Sequence, residues 1–369
     1  MNTIFAEYVW VDGYGNLRSK NRLVNVKGKQ VTRSDNFPNN YLKHLSHWNY
    51  DGSSTGQADT SHSEIILKPV RCFFDPFEKP EFKDSKSVSI LVMCDTYTID
   101  DETCNTNERN QAKKIFDTAL QENPWFGMEQ EFFIMDVDTN RPLGFPEPPA
   151  SPRPQGPYYC SIGAENAFGR SLVNEAYRKS YHAGITVSGM NGEVAPGQWE
   201  IQVGPVCGIS AGDELWMLRY ILGRVTEEWS EAHNRHVRVD FGSKPVYDRD
   251  DSWNGSGMHV NFSTEKMRKD GGYSEILKAV DKLKNRHTIH IDRYGDDNHL
   301  RLTGKNETSD SSQFTVSVGG RGTSIRIPNS VEKEGKGYFE DRRPSSSVDP
   351  YIVTSMLFET CCVSNKSNL

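Results

Sequence analysis

No stretch of this 369-residue chain reaches the ~18 consecutive apolar residues that span a bilayer, and its start, Met1 to Glu7, lacks the basic region and apolar core of a secretory signal. A cytoplasmic address is therefore the expectation. Cysteines at metal-binding spacing are missing too. The seven present (Cys72, Cys94, Cys104, Cys160, Cys207, Cys361 and Cys362) are odd in number and scattered, which argues against a zinc ribbon and for reduced thiols. Positive charge is not in excess either. The 43 Lys and Arg against 50 Asp and Glu leave a formal charge of −7, so a nucleic-acid surface is not expected and any anionic ligand must be held by local arginines. There is no G-x-x-x-x-G-K-[ST] run, hence no P-loop for phosphates. Internal repeats and low-complexity segments are absent as well.

A hydrophobic fraction of 35% over this length is enough for two domains, and the pattern places a boundary. The first hundred residues read as β-rich, opening with a hairpin whose strands, Ala6 to Val11 and Leu17 to Val26, flank a turn at Asp12-Gly13-Tyr14-Gly15-Asn16. The period turns helical from Arg109 to Leu120, and a strand begins at Trp125. Residues 1–100 and 104–369 are the expected domains. Seven of the 18 prolines fall between Pro142 and Pro157, a loop inside the second domain. Helices are expected from Gly212 to His233 and from Tyr273 to His290, both covering a sheet, with His233, His236, His287 and His290 on helix surfaces. Strands mixed with helices make the fold class α+β, with an α/β character in the large domain.

The chemistry gathers in carboxylates. Alternation puts Glu129 and Glu131 on one strand face, where like charges so close call for a cation or a proton between them. Glu193 and Glu200 bracket a Pro196-Gly197 turn, so a hairpin would bring them level. In Met258-His259-Val260-Asn261-Phe262-Ser263 the polar residues share a face. With Glu340, these make five carboxylates and one imidazole without a thiolate, a set suited to magnesium or manganese, and six ligands can serve two ions. Arg301, Arg321, Arg326, Arg342 and Arg343 stand near Gly and Pro punctuation, where their forks suit carboxylate and phosphate oxygens. Glutamates and arginines are common on solvated surfaces. What argues against that reading is the apolar company these strands keep.

Asn49-Tyr50-Asp51-Gly52-Ser53-Ser54-Thr55, the Glu129/Glu131 strand, Gln155-Gly156-Pro157-Tyr158-Tyr159-Cys160, the Glu193 to Glu200 run, Trp253 to His259, Arg301-Leu302-Thr303-Gly304 and Tyr338 to Pro344 together resemble glutamine synthetase of the eukaryotic type, over about Ala6 to Tyr351. The resemblance implies a small N-terminal β-grasp domain, and a large C-terminal catalytic α/β domain whose curved antiparallel sheet lines the active site. It also implies a decamer of two pentameric rings with sites between subunits. The activity implied is ATP-dependent ligation of ammonia to L-glutamate through γ-glutamyl phosphate, with two or more Mg2+ or Mn2+ ions per site.

Residue by residue, the resemblance implies that Glu131, Glu193 and Glu200 hold one cation and Glu129, His259 and Glu340 the other. Trp253, Gly255, Arg301, Arg321 and Arg342 would bind glutamate. ATP would meet Trp125, Glu200, Ile201, Gln202, Val203, Gly204, Pro205, Asn261, Phe262, Ser263, Arg321, Arg326, Tyr338, Phe339 and Glu340. Asp51 would attract ammonium and accept its proton, and Glu307 would close as a flap. Arg321 and Arg342 would act on the transferring phosphoryl group. Three departures stand out. Asn306 occupies a position that is usually histidine, the helical segment before the first strand is missing, and the stretch from Thr226 to Asp251 is long. A non-catalytic structural relative of the same fold, or a ligase joining glutamate to another amine, are the rival expectations.

Overall fold

Ile4, Ala6, Tyr8 and Trp10 are all buried, the period of two that a strand with one face on a core requires. The computed structural model describes residues 2–26, 38–78, 87–147, 150–246 and 252–363. Contacts divide the chain into two units, Met1–Gln111 with Arg178–Ile185, and Ala112–Tyr177 with Thr186–Leu369.

In the first unit β1 (Asn2–Val11), β2 (Leu17–Val26), β3 (Trp48–Asp51), β4 (Glu64–Phe74) and β5 (Ser87–Tyr97) form one sheet in the order β2-β1-β5-β4-β3. Buried Asp12 organises the expected hairpin turn, its carboxylate accepting the N–H groups of Tyr14 and Asn16 at 2.8 Å and facing Arg18. β1 runs parallel to β5, and the remaining pairs are antiparallel. Leu67, Cys72, Ile90 and Val92 close the core beneath β1.

After α1 (Glu108–Asp117) come β6 (Trp125–Asp136), β7 (Arg141–Pro142), α2 (Arg170–Ala183), β8 (Val187–Gly192), β9 (Gln198–Cys207), α3 (Ser210–His233), β10 (Val237–Asp240) and β11 (Met258–Ser263). They are followed by α4 (Tyr273–Asn285), α5 (His287–Ile291), β12 (Val316–Val318), β13 (Ile325–Ile327), α6 (Asn329–Glu334), β14 (Phe339–Asp341) and α7 (Pro350–Phe358). The second sheet runs β12-β13-β14-β11-β6-β9-β8, with β7 and β10 also pairing with β6. Its pairings are antiparallel except at one edge, where β12 and β13 are parallel. The sheet is therefore mixed, because residues 319–324 carry the chain back to the end where β12 began, and Arg321 rides on that excursion.

One helical expectation needs extending and one needs correction. α3 does pack on β9, β10 and β6 of the sheet, but it is also buried on a second face that is charged and satisfied: Tyr351 donates to Asp213 at 2.7 Å and the Thr186 N–H to Glu214 at 2.8 Å. Apolar periodicity sees only half of such a helix. The helix starting at Tyr273 stops at Asn285, and Arg286, at φ −113, separates it from α5. The proline-rich stretch lies in the second unit, with residues 148–149 outside those described, as are 247–251 of the long segment after Thr226.

Candidate active site and metal centre

Strand register brings the acidic residues together. β6 sets Glu129 opposite His259 of β11 and Gln202 of β9, and sets Glu131 opposite Glu200. β14 places Glu340 beside Asn261 on one side and Arg326 on the other. The β8–β9 hairpin closes as its turn residues require. Gly197 takes φ +71 with no room for a Cβ, which would lie 2.7 Å from the Leu143 carbonyl, and the Glu193 N–H donates to Gln198 O at 2.9 Å. Two triads result, Glu129 with His259 and Glu340, and Glu131 with Glu193 and Glu200. Within each, one potential ligand atom per residue lies within 4.8 Å of the others. These are the same two sets that the resemblance implied.

The two triads differ electrostatically. Burial pushes the carboxyls of Glu131, Glu193 and Glu200 above the usual range. Mutual repulsion adds to it, while a hydrogen bond from the Gly257 N–H at 2.8 Å steadies Glu131. Three neighbouring carboxyls in this state, Glu131 and Glu200 buried and Glu193 half-buried, fit a hard divalent cation with oxygen ligands, which would replace protons with charge. In the other triad the His259 Nδ1 lies 3.5 Å from Glu129 and 3.6 Å from Glu340, and burial together with Arg342 drives its pKa well down. A neutral imidazole is the form that ligates a metal. Glu340 is already engaged by Arg342 Nη1 at 2.6 Å and Arg326 Nη1 at 3.0 Å.

Both triads line one cavity of about 230 Å³, together with Gly255, Arg301, Glu307, Arg321, Arg326 and Arg342. Arg301 is fixed from behind: Nη2 donates to the carbonyls of Arg342, Arg343 and Pro344 at 2.8–3.0 Å, and Nε to Asn298 at 3.2 Å. Arg343 does not reach the cavity. It is fully buried in an ion pair with Asp341 at 2.7 Å, so its fork is spent inside the fold. Asn306 and Glu307 both take left-handed backbone, φ +50 and +61, and Glu307 meets Arg321 at 3.4 Å.

A second cavity of about 380 Å³ is lined by Trp125, Gly204, Pro205, Asn261, Ser263 and Tyr338. Arg268 joins them, its guanidinium 4.0 Å from the Trp125 ring and donating to Ser263 and to the Asn123 carbonyl. Sequence reasoning missed Arg268, which sits in a turn after β11 with no periodic signal. It also missed Asn254, Asn191 and Thr308 in the first cavity.

Some expected site residues point elsewhere. The side chains of Ile201, Val203, Phe262 and Phe339 are wholly buried, because alternation turns them to the other face of their strands. Trp253 packs on Phe133, Met135 and Ala195 while its neighbours Asn254 and Gly255 line the cavity. Asp51 belongs to the first unit, where it ends β3 and caps the turn Gly52–Thr55. Hydrogen bonds from Ser53 and Ser54 lower its carboxyl to about 2. His290 is a further correction: it is fully buried, bonded to Tyr294 at 2.6 Å and Thr360 at 2.8 Å, because α5 packs its inner face on the α7 end of the chain.

The model of the family described as "Glutamine synthetase, catalytic domain" matches residues 105–278. Curated relatives match nearly throughout. A glutamine synthetase cytosolic isozyme 1-1 of Oryza sativa subsp. japonica is 49% identical over 98% of this chain and 94% of its own. A glutamine synthetase nodule isozyme of Lupinus luteus is 51% identical over 97% and 94%, and a cytosolic isozyme 2 of Glycine max is 50% identical over 97% and 93%.

Proposed function

Because the chain belongs to the glutamine synthetase family, of the eukaryotic type, and is a glutamate–ammonia ligase making glutamine, we propose that its two cavities divide the substrates between them. The observation that carries this reading is the convergence of six metal-type ligands and four arginines on one cavity beside a second, largely apolar one. Residues 1–100 form the family's β-grasp domain and 104–369 its catalytic domain. ATP places its base against Trp125, Tyr338 and Arg268, and its phosphates toward Arg326 and Arg321. Arg301 takes the α-carboxylate of glutamate.

Glutamate's γ-carboxylate is a poor electrophile. Transfer of the terminal phosphoryl group from ATP gives γ-glutamyl phosphate and ADP; ammonia then attacks the acyl carbon and phosphate departs. Glu131, Glu193 and Glu200, and Glu129, His259 and Glu340, would hold divalent cations, Mg2+ or Mn2+, which would supply positive charge at the transferring phosphoryl group. Arg321 and Arg342 reinforce that charge from the protein side. The arginines, with the cations that the carboxylates would hold, would also screen the repulsion between the two anionic substrates. Glu307 closes over the acyl phosphate to exclude water. Asp51, kept ionised by Ser53 and Ser54, attracts ammonium as an anion, and becomes a proton acceptor only as those hydrogen bonds open.

The protein assembles as a decamer of two pentameric rings, with Asp51 serving a neighbour's cavity, and works in the cytosol, as several relatives are named for doing. Phosphate release and amide formation with glutamate, ATP and magnesium across ammonium, ethanolamine and a polyamine test the reading. Ammonium should be the preferred amine, with glutamine as product. Preference for a larger amine, or no phosphate release with any of them, overturns it.

A further inference from the structure

The segment Gln155-Gly156-Pro157-Tyr158-Tyr159-Cys160 has no assigned role, yet Gln155 meets Asn254, 99 positions away, through both ends of its amide. Nε2 donates to Asn254 Oδ1 at 2.8 Å, and Oε1 accepts the Asn254 backbone N–H at 2.8 Å. Such a pairing fixes a residue's main chain and side chain together. The Asn254-Gly255 wall leaves no slack: a Cβ on Gly255 would sit 2.3 Å from the Ser243 carbonyl and 2.6 Å from Arg301 Cγ. From the other side, buried Gln198 donates to the Gly255 carbonyl at 3.2 Å. The segment is anchored to the Glu193 hairpin as well, the Gly156 N–H reaching Val194 O and the Cys160 N–H reaching Gly192 O, both at 2.9 Å. Gln155 therefore ties the wall beside Arg301 to the wall that carries Glu193.

We infer that Gln155 is a positioning residue that sets, through Asn254 and Gly255, where the amino-acid end of glutamate lies against Arg301, and so governs glutamate affinity without entering phosphoryl transfer. This rests on the placement of glutamate proposed above. Among the described residues the Gln155 amide bonds Asn254 and none of those lining the second cavity, so a selective effect is expected.

Gln155→Leu removes both hydrogen bonds at nearly constant volume, and should raise KM for glutamate about tenfold while kcat and KM for ATP stay within about twofold of native. Gln155→Glu keeps the acceptor for the Asn254 N–H and should fall between, and it supplies the readout if the leucine variant does not fold. A residue acting through Asn254 also predicts that Gln155→Leu with Asn254→Ala is no worse than Asn254→Ala alone. An unchanged KM for glutamate in the folded variants, a parallel rise in KM for ATP, or effects that multiply in the double variant would each overturn the inference. If the native protein makes no glutamine, or Arg301→Lys leaves KM for glutamate untouched, the underlying site reading fails instead, and the two failures are told apart.

Discussion

Glu131 and Glu200 stand directly opposite one another on β6 and β9, two buried carboxyls facing each other across a strand pair. Like charges so placed destabilise a sheet, and burial makes ionisation costlier still. The arrangement therefore costs the protein stability until a cation joins it. Glu131→Gln should lower turnover at least ~10²-fold by removing a ligand's charge, as should Glu340→Gln. In the presence of a chelator, however, Glu131→Gln should melt no lower than native, because it relieves the repulsion. Adding magnesium or manganese should raise the native midpoint more than that of the variant. Activity near native in both variants would sink the two-cation reading.

Glu307 is held in left-handed backbone beside Arg321. A non-glycine residue keeps such a conformation at a cost of about 1 kcal/mol or more, which marks a position constrained by its surroundings. Glu307→Ala should leave glutamate phosphorylation possible while opening the acyl phosphate to water. ADP and glutamine measured in the same tube should then part company, with ADP in excess. A ratio of one to one at an appreciable rate would show that the guard lies elsewhere.

The sequence already spoke clearly where local pattern and chemistry coincide. Alternation in Glu129-Gln130-Glu131 and the Pro196-Gly197 turn foretold the cross-strand and hairpin geometry, since strand period and turn chemistry are local. Arg343 and Trp253 misled for the opposite reason. Their roles depend on which neighbour the fold supplies, an aspartate two residues away for one and an aromatic cluster for the other. In α3 the apolar period revealed the helix and one face of it, while the buried charged residues Asp213 and Glu214 carry no apolar signal that would mark them as buried. Arg268 acts through a ring 143 positions earlier, a contact that only register can create.

His290 gives a pH test of the fold behind β14. Burial, helped by Arg343, pushes its imidazole down to about 3, and Tyr294 links it to Asp341 at 3.0 Å. Below the unfolded value of ~6.5 the unfolded chain takes up a proton that the native ring refuses, so native stability falls as pH drops from there toward 3. Above ~6.5 the group contributes no pH dependence. The slope is about 1.4 kcal/mol per pH unit from this one residue. His290→Gln should be less stable than native at pH 7, through a lost hydrogen bond. By pH 5 the gap should narrow by about 2 kcal/mol. A gap between denaturation midpoints that stays constant over this range would mean that the ring titrates normally.

The last prediction concerns which chain supplies Asp51. This residue lies in the first unit, whereas all six metal-type residues lie in the second. In closed rings with head-to-tail contacts, a site can draw each part from a different chain. Asp51→Asn and Glu131→Gln proteins should each be nearly inactive alone. Dissociated and reassembled together in equal amounts, they should recover activity, because a site is intact when its first unit comes from the Glu131 variant and its second from the Asp51 variant. Random mixing gives about a quarter of sites in that state, and activity should climb toward that fraction of native. Mass analysis must show mixed rings for the comparison to count. Mixed rings whose activity stays at the level of the separate variants would mean that Asp51 serves the cavity of its own chain.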